Sequence, residues 1–425
     1  MKIILLALIV AANATAEVHR MTLREAVSRA LEQNPDLTMA RLAEQAAERQ
    51  VAIAQDPFIP KVYAGSGLAY TSGFPMSIEG SAPSVVQARA IAAVVNRRLR
   101  HELASTREAV KGAALETGAK RDEIVLRTVE LYLEAERLGR AVKLVEGQVE
   151  GLERVVAAVR LRVQEGRELP IEVKRAELDI ARAGQRAQAY EAELAYTESL
   201  LAAALGLPAG DRVRAQAEEQ RAAALPESAD AAVAAALETS AAIRRLESLL
   251  AANGYQVKAA KASRLPSLSL VAQYGIFARF NNYDEFFQKF QRHNGQIGVA
   301  FEVPLFTGTA AGARAAQAEL EIQRLRTELE STRRRVAVET RREFEQVRIA
   351  ETAAGVARQD LELARENLGL LLARMEEGRA SLPEVEAARY LENEKWLAFY
   401  EARYALEAAR YRLLGETGAL LAQFR

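Results

Sequence analysis

The sequence predicts a mainly α protein built from a duplicated unit. Each copy joins long coiled-coil helices to a pair of strands long enough to cross a bilayer. Three observations carry this. A Gly-containing tip occurs twice, as Glu165-Gly166-Arg167-Glu168-Leu169-Pro170-Ile171-Glu172-Val173 and as Glu377-Gly378-Arg379-Ala380-Ser381-Leu382-Pro383-Glu384-Val385. Helix-compatible sequence runs without a break for about 70 residues into each tip, which at 1.5 Å per residue is about 100 Å. Four segments of about 11 residues alternate apolar and polar side chains, the length of a tilted membrane strand.

The composition narrows the classes. The 425 residues hold 57 basic and 57 acidic side chains, a balance that argues against a nucleic-acid surface. There is no Cys, so there are no disulfides or thiolate metal sites. His19, His101 and His293 are far apart in sequence and lie in no ligand spacing. No nucleophile elbow or phosphate loop is present, so neither a catalytic site nor a cofactor is expected.

Residues 1–16 read as a secretory signal peptide. Lys2 supplies the charge, Ile3–Ala12 the short apolar core, and Ala14-Thr15-Ala16 the small-x-small cleavage pattern. Residues 17–208 form the first repeat. Thr22-Leu23-Arg24-Glu25 is a capping box that starts a helix reaching about Gln55, interrupted at most near Asn34-Pro35. Pro57 and Pro60 stop it, and strands are expected at about 61–72 and 85–97. The second is weaker, because its Ala-rich sequence also tolerates helix.

From Arg97 to Glu165 only scattered Gly interrupts a helical pattern. Its lower half carries Leu138, Val142, Val145, Val149, Leu152, Val156, Val159 and Val163 in alternating steps of four and three, a heptad seam for helix pairing. The tip at about 165–173 follows. Gly166 suits the left-handed C-terminal position and Pro170 the first turn of the return helix.

Residues 209–228 are expected to be an irregular connector. Residues 229–425 repeat the pattern: Ala26-Val27-Ser28-Arg29-Ala30-Leu31-Glu32 matches Ala232-Val233-Ala234-Ala235-Ala236-Leu237-Glu238. Strands are expected at about 266–278 and 295–306. A second long helix starts near Gly308, a second tip lies at about 377–385 around Gly378, Arg379 and Pro383, and helix runs out to Phe424.

Tyr63, Tyr70, Tyr274 and Phe277 sit near strand ends, as the aromatic girdle of a membrane barrel does. A soluble antiparallel sheet would alternate in the same way. Four strands are too few to close a transmembrane barrel, the smallest of which have about eight. Spanning therefore requires several chains, and two copies or three remain open at this point.

The chain resembles the TolC family of outer membrane efflux proteins over nearly all of its mature length. The carriers are Leu23-Arg24-Glu25-Ala26-Val27 with Asn34-Pro35, Leu265-Pro266-Ser267-Leu268, Val303-Pro304-Leu305-Phe306-Thr307-Gly308, and the two tips. The resemblance implies a homotrimer in outer membrane lipid, forming a shared β-barrel continued by a helical barrel across the periplasm. It implies docking to a periplasmic adaptor, through it an inner-membrane pump, and passive passage gated at the helical tips. The same features without the resemblance also fit a soluble periplasmic coiled-coil scaffold or adaptor.

Two departures stand out. Val94-Val95-Asn96-Arg97 lacks the Pro and Gly of the second strand-to-helix junction. There is also no N-terminal Cys of the kind that some members acylate, so the barrel alone would hold the chain. The resemblance places the periplasmic entrance at Glu384, six residues after its tip Gly, with Glu172 in the equivalent place. Ala387 stands where a further acidic residue is often found, and Glu386 is the nearest substitute. Any helix favours a carboxylate in its first turn, so Glu384 has a purely structural reading too. Crowded around an axis, such carboxylates are expected to have raised pKa values. Gly166, Arg167, Pro170, Gly378, Arg379 and Pro383 are the expected tip turns and adaptor contacts.

Overall fold

A computed structural model describes residues 17–67, 84–216, 224–277, 291–306 and 308–424. The signal-peptide reading of 1–16, and Tyr70, lie outside them. The elements are β1 (Val18–Met21), α1 (Leu23–Gln33), α2 (Pro35–Gln55), β2 (Lys61–Gly67), β3 (Ser84–Val95), α3 (Arg97–Gln164), α4 (Pro170–Ala204) and β4 (Arg212–Ala215). They continue as α5 (Ala229–Thr239), α6 (Ala241–Ala262), β5 (Ser267–Phe277), β6 (His293–Glu302), α7 (Ala310–Glu376) and α8 (Leu382–Glu416). Short 3-10 turns cover Asp56–Phe58 and Leu420–Phe424.

Two compact units divide the chain, and neither coincides with a repeat. One takes the residues up to Ala40, Gly118–Ser240 and Arg333–Arg425; the other takes Arg41–Thr117 and Ala241–Thr332.

The first unit has a core of Leu23 and Val27 from α1, Leu37 from α2, Val125, Val129 and Tyr132 from α3, Leu201 and Leu205 near the end of α4, and Val213 of β4. Fully burying an aliphatic side chain of this size contributes about 1.5–3 kcal/mol. The Thr22 capping box forms as read: Glu25 N donates to Thr22 Oγ1 and Thr22 N to Glu25 Oε2. The heptad seam is turned inward: Leu138 and Val145 are fully buried, and Val142 and Val156 are nearly so.

The connector is not wholly irregular. β4 lies within it and pairs in parallel with β1, Val18 opposite Arg212 and Met21 opposite Ala215. Neither strand was legible, because four residues are too few for an alternation and their partners lie far apart in sequence. The Tyr132 hydroxyl closes this pair, 3.0 Å from Met21 O and 2.6 Å from Gln216 O.

Each repeat is closed in the same way. Gly206 (φ 67°) ends α4 and Gly418 (φ 71°) ends α8, each in a Schellman motif. A Cβ at Gly206 would lie 2.4 Å from Gln33 O at the end of α1, and one at Gly418 would lie 2.8 Å from Thr239 Cβ at the end of α5. The last helix therefore stops at Glu416, short of the expected Phe424, and Leu420 beyond it enters the core.

The second unit holds a four-stranded antiparallel sheet in the order β2-β3-β5-β6. β3 is a strand despite its Ala content because it is paired on both sides. Asn96 replaces the missing Pro-Gly junction: its side chain accepts from Leu99 N at 3.1 Å and caps α3. β6 spans 293–302 rather than 295–306, since Pro304 cannot continue the ladder and His293 still pairs with Ile276. α6 is fixed to the start of α3 by Ser248 Oγ donating to Glu108 O at 2.6 Å.

Candidate functional site

The two tips share one backbone design. Gly166 and Gly378 have φ 73° and 74°, and each donates to the carbonyl three residues back, while the following Arg donates five back. Arg167 and Arg379 then pair with Glu165 and Glu377, each at 3.2 Å, and both guanidinium groups are largely exposed.

The return helices differ at their first residues, above all at the cap. α8 is capped by Ser381, and Glu384 is the third helical residue: Ser381 N and Oγ both donate to its Oε2 at 2.7 Å. The equivalent of Ser381 in the first tip is Leu169, which has no hydroxyl to donate. Glu172 therefore turns to Arg175, 2.6 Å away. Pro170 and Pro383 sit in the first turn of α4 and α8 respectively.

These contacts set the charges. The Ser381 backbone N–H, then its hydroxyl, hold the Glu384 carboxyl below the usual range. Burial pushes Glu386 up, against the opposing fields of Arg389 and Arg154.

The three acidic residues are not grouped together. Glu172 and Glu386 line one cavity of about 540 Å³ between the first tip and the start of α8, together with Leu382 and Pro383. Glu384 is exposed and does not line it, while the neighbouring Val385 is buried against Leu368 and Ala388. The cavity also has a basic side that sequence reasoning missed: Arg175, Arg182 and Arg186 of α4. The heptad step from 175 to 182 was the available signal. Arg186 pairs with Glu394, donates to the Tyr390 hydroxyl at 3.2 Å and lies 5.9 Å from that ring's centre, tying α4 to α8.

The sheet has two unlike faces. Leu268, Leu270 and Ala272 of β5 stand opposite Phe301, Val299 and Ile297 of β6, and Ala92, Ala90 and Ala88 of β3 continue this apolar face. On the other face Arg89, Gln273 and Gln296 lie in one row, with Gln296 Nε2 donating to Gln273 Oε1 at 3.2 Å. The register divides the expected girdle residues between the two faces. Tyr63 is opposite Arg89, and Phe277 shares the parity of Gln273, so both belong to the polar face. Tyr274 alone of the three lies on the apolar face, its hydroxyl 2.8 Å from His293 Nδ1.

Two stripes run along α7. Val347, Leu361 and Leu368 are buried, whereas Ile349, Val356, Leu363 and Leu370 recur every seven residues and are all more than 45% exposed. This bare heptad also went unread, though its spacing is plain in the sequence.

Comparison with known proteins agrees with this architecture. The family model described as outer membrane efflux protein matches residues 26–207 and 232–419. The chain is 22% identical over 409 residues to the outer membrane efflux protein BepC of Brucella suis biovar 1 (strain 1330), covering 94% of this chain and 86% of BepC. It shares its fold with the Campylobacter jejuni CmeC outer membrane channel, at a TM-score of 0.78, 15% identity and coverage of 94% and 86%. The outer membrane protein VceC of Vibrio cholerae superposes with a TM-score of 0.72, 19% identity and coverage of 92% and 96%. With both halves matched by the family model and the sheet and helical tips in place, the chain belongs to the outer membrane efflux protein family.

Proposed function

We propose that three copies of this chain form one passive exit duct. The observation that carries this is the four-stranded sheet, with one apolar face and, among the described residues, unpaired outer edges on β2 and β6. Open edges are not tolerated in lipid. Three such sheets joined edge to edge would close a barrel of three times four strands, with the apolar face toward lipid and the Arg89–Gln273–Gln296 row toward water. The bare heptad of α7 supports the same assembly, since a neighbouring copy would cover it.

The tips are the entrance and the contact for a periplasmic adaptor, which links the duct to an inner-membrane pump. The Gly-stopped turns expose Arg167 and Arg379 for that contact. Glu384 presents a capped, ionised carboxylate at each copy's second tip, with Glu172 and Glu386 inside the neighbouring cavity. Opening is relative movement of the tip coiled coils, a shear of packed helices. Selection among substrates rests with the pump.

Native mass measurement of the detergent-solubilised protein tests the assembly. A trimer is expected; a stable monomer or dimer refutes it. Planar-bilayer conductance tests the duct, and a trimer that conducts nothing under any condition would remove the channel reading.

A further inference from the structure

The amino-terminal end of β1 is gripped in an unusual way. Glu17 N lies 3.1 Å from Asp211 Oδ1, and His19 Nε2 lies 3.0 Å from Oδ2 of the same carboxylate. Glu17 O accepts from Arg212 N at 2.9 Å. Both backbone polar groups of Glu17 are thus held before the strand begins. Asp211 is only 9% exposed, and Gly210, at φ 103°, turns the chain just before it. His19, then the Glu17 N–H, hold the Asp211 carboxyl below its usual range, and Arg29 adds its field. The sequence places Ala14-Thr15-Ala16, a small-x-small cleavage pattern, immediately before Glu17.

We propose that Asp211 is the receptor for the mature amino terminus, and that signal-peptide removal after Ala16 seats a new α-ammonium on its Oδ1. Cleavage is hydrolysis of the Ala16–Glu17 peptide bond: water supplies the hydroxyl of the Ala16 carboxyl and a hydrogen to the Glu17 nitrogen, which then takes up a proton. Before cleavage the contact is an amide N–H on a carboxylate. Afterwards it is a pair of opposite charges at hydrogen-bond distance, the stronger of the two. The β1–β4 pair is too short to hold by itself. Tyr132 secures one end, and processing secures the other. Removal of the leader and docking of β1 onto β4 are thereby linked. The inference rests on export of the chain, not on the duct or its gating.

The full-length mature protein in detergent micelles is the material for the test. Its amino terminus is sequenced, and acylation of the α-amine is followed as a function of pH. The amine should titrate about one unit above the ordinary 7.7–8.0, which slows labelling about tenfold at neutral pH. Asp211→Asn should restore the ordinary value. A chain with one extra Ala before Glu17 should do the same while keeping the Asp211–His19 contact, so the comparison holds even if Asp211→Asn does not assemble. An amino terminus at another residue, or equal labelling in the mature and extended chains, overturns the proposal.

Discussion

Glu384 is bound to Ser381 before it can meet any ion. Its carboxyl is held low, so the cap contributes stability above the ordinary carboxylate pKa, and that contribution is lost as pH falls through the depressed value. If three copies ring the entrance, cation preference should survive acidification through about pH 4.3 and vanish below it. Ser381→Ala should move that midpoint upward. Glu384→Gln should reduce both cation preference and block by multivalent cations from the periplasmic side, whereas Glu321→Gln, at an exposed carboxylate paired with Arg324, should change neither. Reversal potentials under a salt gradient read all three variants; unchanged selectivity in Glu384→Gln would leave only a helix cap. Glu386 behaves oppositely: burial makes it the first of the two to protonate. Tyr132→Phe should cost about 1–3 kcal/mol, because its hydroxyl serves two strand-end carbonyls, and thermal unfolding measures this.

At the scale of elements, the four Schellman glycines divide into two kinds. At Gly166 and Gly378 an added Cβ would meet no atom within 4 Å, so alanine there costs only the left-handed backbone, about 1–2 kcal/mol. Gly206 and Gly418 add a collision with the end of α1 or α5, so Gly206→Ala should destabilise several-fold more than Gly166→Ala in thermal unfolding. The tips, the long helices and the strand pairs were legible because each declares itself locally, by a Gly stop, a heptad or an alternation. The Ser381 cap went unread, although Ser-x-x-Glu is the same signature as Thr22-x-x-Glu25. What else escaped, the α7 heptad and the α4 arginines apart, was non-local. β1 and β4 define each other only as a pair, and Tyr63 and Tyr274 fall on opposite faces only once the register is fixed.

At the scale of the molecule, the exposed seam Ile349, Val356, Leu363 and Leu370 makes the assembly testable apart from the sheet. Val356→Asp combined with Leu363→Asp introduces charge into a surface that a second copy is proposed to cover. The trimer should be lost in native mass measurement while the helix content of the chain, read by circular dichroism, is kept. An intact trimer would show that this stripe faces water or another partner.

The interleaving of the two compact units also sets a timetable. One unit draws on the residues up to Ala40, on Gly118–Ser240 and on Arg333–Arg425, so it stays incomplete until the last residues have left the translocation machinery. The other must wait for β5 before β3 has both neighbours. A chain delivered from its amino-terminal end therefore spends most of its delivery with α1 uncovered and the first hairpin unpaired on one side. Such segments aggregate unless they are held. Biogenesis of this protein should thus lean on periplasmic chaperones for nearly the whole time of export, and a chain truncated at residue 208 should remain their client.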